Sequence, residues 1–106
     1  MEAFTDKAIQ VIQNIPAGKV MTYGQIAAHA GSPRGARQVA RLLHSMSAKY
    51  GLPWHRVINA QGKISFQDTD DRHSQDRLLQ KEGVIVGSSG TIDLKHYRYD
   101  PGHEAF

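Results

Sequence analysis

A break between two predicted helices constrains the fold of this chain more than any other sequence feature. Thr22 suits the N-cap of a helix over residues 23–30, and Gly31 supplies the stop at its end. Ser32-Pro33 then restarts a helix that we expect to run to about Ser47, because serine suits an N-cap and proline the first helical position. Two helices joined by a short turn that contains glycine predict a helix-turn-helix.

The second helix of this pair has an apolar face and a basic face. The apolar face carries Val39, Leu42, Leu43 and Met46. The basic face carries Arg34, Arg37 and Arg41 at the i, i+3, i+7 spacing, with no acidic residue four positions away to form an intrahelical ion pair. We interpret this face as a contact surface for nucleic acid, and the alternative is a solvated helix face.

Small residues accompany the arginines. Gly35, Ala36 and Ala40 leave little side-chain bulk along the N-terminal half of the predicted helix. That half is therefore expected to lie close to a nucleic-acid backbone or groove. Tyr23 begins the preceding helix beside Gly24, and the sequence favours neither a partner contact nor packing on the core for it.

Charge is distributed unevenly along the chain. The net charge is only +3, but no acidic residue occurs between Asp6 and Asp68. The basic residues of that interval are Lys7, Lys19, Arg34, Arg37, Arg41, Lys49, Arg56 and Lys63. A surface of one sign is typical of a phosphate-binding face, although a generally basic soluble surface would have the same composition.

Composition limits the possible chemistry. The 106 residues, 40% of them hydrophobic, predict a single domain over 1–106 with one modest core. The chain has no cysteine, which excludes disulfides, thiolate catalysis and cysteine metal sites. Its six histidines form no paired ligand motif, so we expect no metal and no cofactor. No long apolar run or signal peptide is evident, so we expect no membrane anchor. Together with the basic helix-turn-helix, this leads us to expect a cytoplasmic, DNA-associated protein.

The other predicted elements complete a small fold. They are a helix over 2–15, strands at 56–58 and 63–65 joined by a turn at 59–62, a helix from Asp70-Asp71 to Gly83, and a tail that is at least partly ordered. The expected fold class is mainly α with a small β hairpin, a winged helix-turn-helix-like DNA-binding domain.

One short motif, Pro53-Trp54-His55-Arg56-Val57, contains the only tryptophan. A proline restrains the backbone before the indole, which would serve either as a core plug or as the wall of a pocket. His55 has no local nucleophile to activate. Glu82 ends a helix where a negative charge is unfavourable, which suggests a tertiary partner, and His55 is a candidate.

These motifs together resemble the C-terminal domain of the O6-alkylguanine-DNA alkyltransferases. The resemblance rests on three ordered segments, which are residues 15–27, residues 35–40, and Pro53-Trp54-His55-Arg56-Val57-Ile58. The last segment is similar to the active-site motif Pro-Cys-His-Arg-Val of that family, with Trp54 in place of the nucleophilic cysteine. The chain is therefore identified as a member of the alkyltransferase-like proteins, which bind DNA and flip bases without repairing them.

The resemblance implies a role for each matching residue. Arg37 would be the finger that fills the gap left by a flipped nucleotide, and Tyr23 would crowd the adjacent phosphate. The DNA-binding set is Tyr23, Arg34, Gly35, Ala36, Arg37, Ala40 and Arg41, with the helix in the minor groove. The lesion pocket comprises Tyr23, Trp54, His55, Arg56 and Val57. His55 and Glu82 would form a structural hydrogen-bonded pair.

Two segments depart from the family pattern. Met46 occupies the position of an asparagine that ties the recognition helix to the active-site turn in the enzymes. Residues 65–67 lie where the family closes the pocket over the base. The implied partners are duplex DNA containing O6-alkylguanine and nucleotide excision repair proteins, and we expect a monomer. The alternative is a sequence-specific winged-helix transcription regulator, which would usually need a dimer interface.

Overall fold

The computed structural model describes residues 3–64 and 69–101, with the backbone alone described for residues 69–74. The helices are α1 (Phe4–Gln13), α2 (Tyr23–His29), α3 (Ala36–Tyr50), α4 (Thr69–Lys81) and α5 (Leu94–Tyr97). The strands are β1 (Met21–Thr22) and β2 (Val57–Ile58), and a 3₁₀ turn covers Trp54–Arg56. In the described part of the chain, no helix has the length and hydropathy to cross a membrane.

The start and the end of α2 follow the sequence signals. The Thr22 hydroxyl accepts a hydrogen bond from the Gln25 amide at 3.1 Å, and the Gln25 side chain accepts one from the Thr22 amide at 2.9 Å. This reciprocal pair is a capping box. Gly31, with a φ of 98°, follows the last turn of the helix, where a left-handed residue is favoured.

The start of α3 differs from the prediction. The Ser32 amide still bonds to the Ala27 carbonyl at 2.9 Å, and the Ser32 carbonyl accepts from the Gly35 amide at 2.8 Å. Residues 32–35 therefore complete the turn after α2 instead of starting the next helix. Arg34 lies on this turn, while Arg37 and Arg41 lie on the helix. The helix also extends beyond Ser47 to Tyr50, and its C-cap is Gly51, which has a φ of 60°.

The predicted β hairpin is wrong, although the mainly helical fold with a small two-stranded sheet is confirmed. β1 and β2 pair in parallel, with Met21 opposite Val57 and Thr22 opposite Ile58. Parallel strands need a long crossover connection, and here the helix-turn-helix itself makes that connection. The turn at residues 59–62 does occur, but Lys63 forms an antiparallel bridge with Thr91, and Ser65 lies outside the described residues.

The two-stranded sheet separates two hydrophobic clusters. Met21 and Val57 pack with α1, α2 and α3 on one side. Val20 and Ile58 pack on the other side with Ile64, Leu79, Val84, Ile92 and Tyr97. Because successive strand residues point to opposite faces, four neighbouring residues hold both clusters together. The single core expected from composition is thus divided in two.

The C-terminal segment belongs to the second cluster, where Ile92 and Tyr97 are buried. The Val20 amide donates to the Tyr97 carbonyl at 2.9 Å, and the Tyr99 amide donates to the Val20 carbonyl at 2.8 Å. The Gln25 side chain donates to the Tyr99 carbonyl at 3.0 Å and to the Asp100 carboxylate at 2.8 Å. The described part of the tail is therefore packed on the fold and tied to the first turn of α2.

Candidate nucleic-acid interface

An exposed cationic surface covers the turn before α3 and the first half of that helix. Arg34, Arg37 and Arg41 are all exposed, and none of them forms an ion pair with the described side chains, which are those of residues 3–64 and 75–101. The first turn of α3 contains no acidic residue, and its N-cap Gly35 provides no side-chain hydrogen bond. The helix N-terminus therefore presents amide groups and a positive dipole end beside the arginines, an arrangement that favours phosphate.

The small residues at and after the start of α3 are small for different structural reasons. A Cβ on Gly35 would approach the Phe4 ring to 2.9 Å, so packing of α1 against the turn requires glycine there. Ala36 is half-buried, and Ala40 is exposed. Only Ala40 leaves an exposed stretch of helix with little bulk, whereas Gly35 is explained by internal packing.

Tyr23 is the first residue of α2 and directly follows β1. Its half-buried side chain packs against the first hydrophobic cluster, as does that of Trp54. Tyr23 and Trp54 thus lie at the margin of the same core, one at the start of the helix-turn-helix and the other just after it.

The turn that carries Trp54 connects α3 to β2. The Trp54 amide donates to the Leu52 carbonyl at 2.8 Å, and the Arg56 amide donates to the Pro53 carbonyl at 3.0 Å. The indole is half-buried and meets the His55 ring edge to face, with ring centroids 6.2 Å apart and an interplanar angle of 86°. The indole is neither a fully buried core plug nor a free surface side chain.

The Glu82 carboxylate anchors this turn to the rest of the fold. His55 Nε2 lies 2.8 Å from Glu82 Oε2, and Arg56 donates from Nε and Nη2 to the same carboxylate at 2.6–3.1 Å. The Gly18 amide donates to Glu82 Oε1 at 3.0 Å. Arg56 Nη1 also donates to the Ile15 carbonyl at 2.8 Å. We call these residues the Glu82 anchor.

Burial of Glu82 would by itself raise its pKa, but hydrogen bonds from Arg56, His55 and Gly18 outweigh that effect. They lower the pKa of Glu82 from 4.5 to about 2. The carboxylate is therefore ionised at neutral pH and only accepts hydrogen bonds, so His55 must carry a proton on Nε2. Because Nε2 carries the proton, it acts as a hydrogen-bond donor to Glu82 and so helps to hold the turn in place.

Trp54 borders an open cleft of about 800 Å³ between the C-terminal half of α3 and its own turn. The lining residues are Gln13, His44, Ser47, Ala48, Gly51, Leu52, Pro53, Trp54, His55 and Arg56. Val57 is fully buried in the first cluster, so it supports the turn from behind. Tyr23 is not among the described residues that line this cleft. Residues 65–67, expected to close a pocket, lie outside the described residues.

Sequence reasoning missed several residues of the site. Gln75 is fully buried and donates from Nε2 to the carbonyls of His55 and Val57, both at 3.1 Å. Gly18 and Ile15 join the Glu82 anchor through backbone atoms, which leave no mark in a sequence pattern. The polar Gln75 on the buried face of α4 was the one available signal. Met46 is half-buried and packs against the first cluster.

Among the described residues, no group of three or more histidine or acidic side chains could hold a metal ion. The chain offers instead an exposed arginine surface on a helix-turn-helix, followed by a rigidly anchored tryptophan turn. The fold and this surface define a helix-turn-helix DNA-binding protein.

Comparisons with known proteins narrow this class. Residues 3–84 match the family model described as 6-O-methylguanine DNA methyltransferase, DNA binding domain. A DNA base-flipping protein of Escherichia coli is 44% identical over 99 residues, which cover 93% of this chain and 76% of the relative. Alkyltransferase-like protein 1 of Schizosaccharomyces pombe is 36% identical, with 95% of this chain and 98% of the relative covered.

A solved structure extends the similarity to the fold. The crystal structure of S. pombe Atl1 in complex with damaged DNA containing O6-carboxymethylguanine matches with a TM-score of 0.82 and 37% identity. The match covers 95% of this chain and 100% of that chain. This chain therefore belongs to the DNA-binding domain family of the 6-O-methylguanine DNA methyltransferases, as an alkyltransferase-like protein.

Proposed function

We propose that this protein binds O6-alkylguanine lesions in duplex DNA and flips the damaged nucleotide into a pocket lined by Trp54, without repairing it. The observation that carries the proposal is the indole of Trp54 on a turn held by the Glu82 anchor, in a chain without cysteine. The structural relative bound to DNA containing O6-carboxymethylguanine supports this class of ligand.

Contact with DNA would use the arginine surface and the N-terminus of α3 in the minor groove. Arg34 and Arg41 would neutralise phosphates, while Arg37, exposed at the second residue of the helix, would enter the duplex. A guanidinium suits that position because it combines charge with a planar stacking face. Tyr23, at the start of α2, would crowd the phosphate beside the flipped nucleotide.

The energetics of flipping are consistent with these residues. Extruding a nucleotide costs a few kcal/mol, and a poorly paired lesion costs less. Arg37 would replace part of the lost stacking. Contact between an extruded base and an aromatic side chain returns about 1–3 kcal/mol, and the apolar surface of Trp54 suits an alkyl substituent. His55 and Arg56 would define the pocket through the Glu82 anchor, with Val57 behind them.

The absence of a thiol separates binding from repair. Alkyl transfer to the protein needs a nucleophile at the position of Trp54, and an indole cannot accept the group by displacement. His55 donates a hydrogen bond from Nε2 to Glu82 and has no thiol to activate. The protein would therefore hold the lesion, and the bound complex would mark it for nucleotide excision repair.

The assembly proposed is simple. Residues 1–106 would act as one domain and as a monomer, in the cytoplasm and associated with DNA. The duplex would be its direct partner, and nucleotide excision repair proteins would act on the complex.

The deciding experiment is a binding titration with two duplexes of identical sequence, one of which contains O6-methylguanine. We expect tighter binding to the lesion duplex and quenching of Trp54 fluorescence by that duplex alone. Equal affinity and equal quenching would contradict lesion recognition and would favour a sequence-specific transcription regulator. A duplex with a labelled O6-methyl group tests repair, and label on the protein would contradict non-catalytic binding.

A further inference from the structure

Gln75 has a feature that the proposed DNA contacts do not explain. It lies on α4 with no exposed surface, although it is polar. Its Nε2 donates at 3.1 Å to the His55 carbonyl and at 3.1 Å to the Val57 carbonyl. These two carbonyls flank Arg56, and they belong to the segment that begins with Trp54. One amide group therefore holds the backbone on both sides of Arg56.

The orientation of this amide is defined by its partners. Both partners are carbonyl oxygens, which only accept hydrogen bonds, so the nitrogen must face them. Gln75 Oε1 is buried and has no hydrogen-bond partner among the described residues. Both donors of the Gln75 amide are therefore used by the backbone on either side of Arg56.

The Gln75 contact and the Glu82 anchor hold different parts of the turn. The anchor fixes the side chains of His55 and Arg56, whereas Gln75 fixes the backbone on either side of Arg56. The backbone of Trp54 continues directly into the segment that Gln75 bonds. A shift of this backbone would move the indole relative to the Glu82 anchor.

From this arrangement we propose that Gln75 is a positioning residue that sets the position of the Trp54 indole for recognition of the alkylated base. The inference rests on the proposed lesion binding and adds a specificity-determining residue to it. Gln75 acts through the turn and does not touch DNA in this proposal. It therefore governs discrimination between damaged and undamaged DNA, while general DNA affinity depends on the arginine surface.

The test compares Gln75→Met with Gln80→Met. Methionine approximates the size of glutamine and lacks both donors, and Gln80 is an exposed residue of the same helix. For Gln75→Met we expect the ratio of lesion to undamaged affinity to fall about tenfold, which corresponds to about 1.4 kcal/mol. Affinity for undamaged duplex should stay within about twofold, because the arginine surface that governs it is unchanged. Gln80→Met should leave both affinities unchanged.

Tryptophan fluorescence of the free variant separates this inference from the proposed function. A displaced indole would change the emission maximum of Gln75→Met without DNA, whether or not the wild-type protein prefers lesions. Unchanged emission together with unchanged discrimination in the folded variant would overturn the positioning role. Unchanged emission with equal binding of both duplexes by the wild-type protein would overturn the positioning role and lesion binding together.

A measurement on the wild-type protein covers the case in which Gln75→Met does not fold. The side-chain amide protons of Gln75 should exchange slowly with solvent and should shift in NMR spectra when lesion duplex is added, but not with undamaged duplex. Rapid exchange of these protons, or equal shifts with both duplexes, would overturn the proposal.

Discussion

Two groups of arginines show how the same side chain serves two purposes in this protein. The guanidinium of Arg56 is largely buried and donates to Glu82 and to the Ile15 carbonyl. Arg34, Arg37 and Arg41 are exposed and form no ion pair in the described part of the chain. Donors already used within the fold stabilise structure, whereas exposed donors are available for phosphate.

The difference between the buried and the exposed arginines divides the site into a rigid part and a contact part. The rigid part is the tryptophan turn, which the Glu82 anchor connects to the segment after α1 and to the end of α4. The contact part is the arginine surface. Changes in the rigid part should act first on stability, and changes in the contact part should act only on binding.

Removing the charge of Glu82 tests the rigid part with the largest expected effect. Glu82→Gln leaves Arg56 without its carboxylate and weakens the bonds from His55 and Gly18. We expect a loss of about 3 kcal/mol in the free energy of unfolding, measured by urea denaturation. Asp6→Asn, on the exposed first turn of α1, is the matched control and should cost well under about 1 kcal/mol. A loss for Glu82→Gln no larger than for the control would contradict the anchoring role.

The pH dependence of stability should report the same carboxylate. The pKa of Glu82 is about 2 in the fold against an ordinary value of 4.5, so the ionised form is favoured by folding. Its contribution is fully present above pH 4.5 and is lost as the pH falls towards 2. After allowance for solvent screening, we expect this loss to be about 2 kcal/mol.

Urea titrations at several pH values measure this loss. The difference in stability between wild type and Glu82→Gln should shrink across this acidic range. A difference that stays constant with pH would show that the carboxylate does not titrate as expected.

Arg37 provides the sharpest test of the contact part. We expect Arg37→Ala to weaken binding of the lesion duplex about tenfold, because the finger loses both its charge and its stacking face. The unfolding free energy should change little, since the side chain is exposed. Arg77→Ala, an exposed arginine on α4, is the matched control. Equal losses of affinity for Arg37→Ala and Arg77→Ala would show that Arg37 contributes only its charge, and would contradict its role as the finger.

Arg41 should give the smallest effect. Arg41→Ala is expected to weaken binding to damaged and undamaged duplex alike by about threefold and to lower the slope of log affinity against log salt by about 1. Titrations at several salt concentrations measure both quantities, with Lys81→Ala on α4 as control. A selective loss for the lesion duplex would move Arg41 from the contact part into lesion recognition.

Local sequence signals predicted several elements correctly because short-range chemistry determines them. Thr22 with Gln25 forms the capping box that begins α2, and Gly31 ends it. The apolar spacing of Val39, Leu42 and Leu43 predicted the buried face of α3. Its start was predicted at Pro33 instead of Ala36, because the turn after α2 uses Ser32 and Gly35.

Strand pairing could not be predicted in the same way. Val57-Ile58 was recognised as a buried strand, but its partner is β1, more than thirty residues earlier in the chain. The nearer segment at Lys63 pairs with Thr91 instead. The alternation of apolar and polar residues in a strand predicts which residues are buried, but it does not predict which other strand pairs with it.

The sequence by itself determined the class of this protein, because the motif around Trp54, the missing thiol and the basic helix-turn-helix are all local or compositional features. The tertiary structure alone decided how the tryptophan turn is held. Gly18 and Ile15 contribute backbone atoms, and Gln75 reaches the turn from α4 across 18 and 20 positions of sequence. Such contacts arise only when distant segments pack together, since hydrogen bonding depends on distance and direction in space.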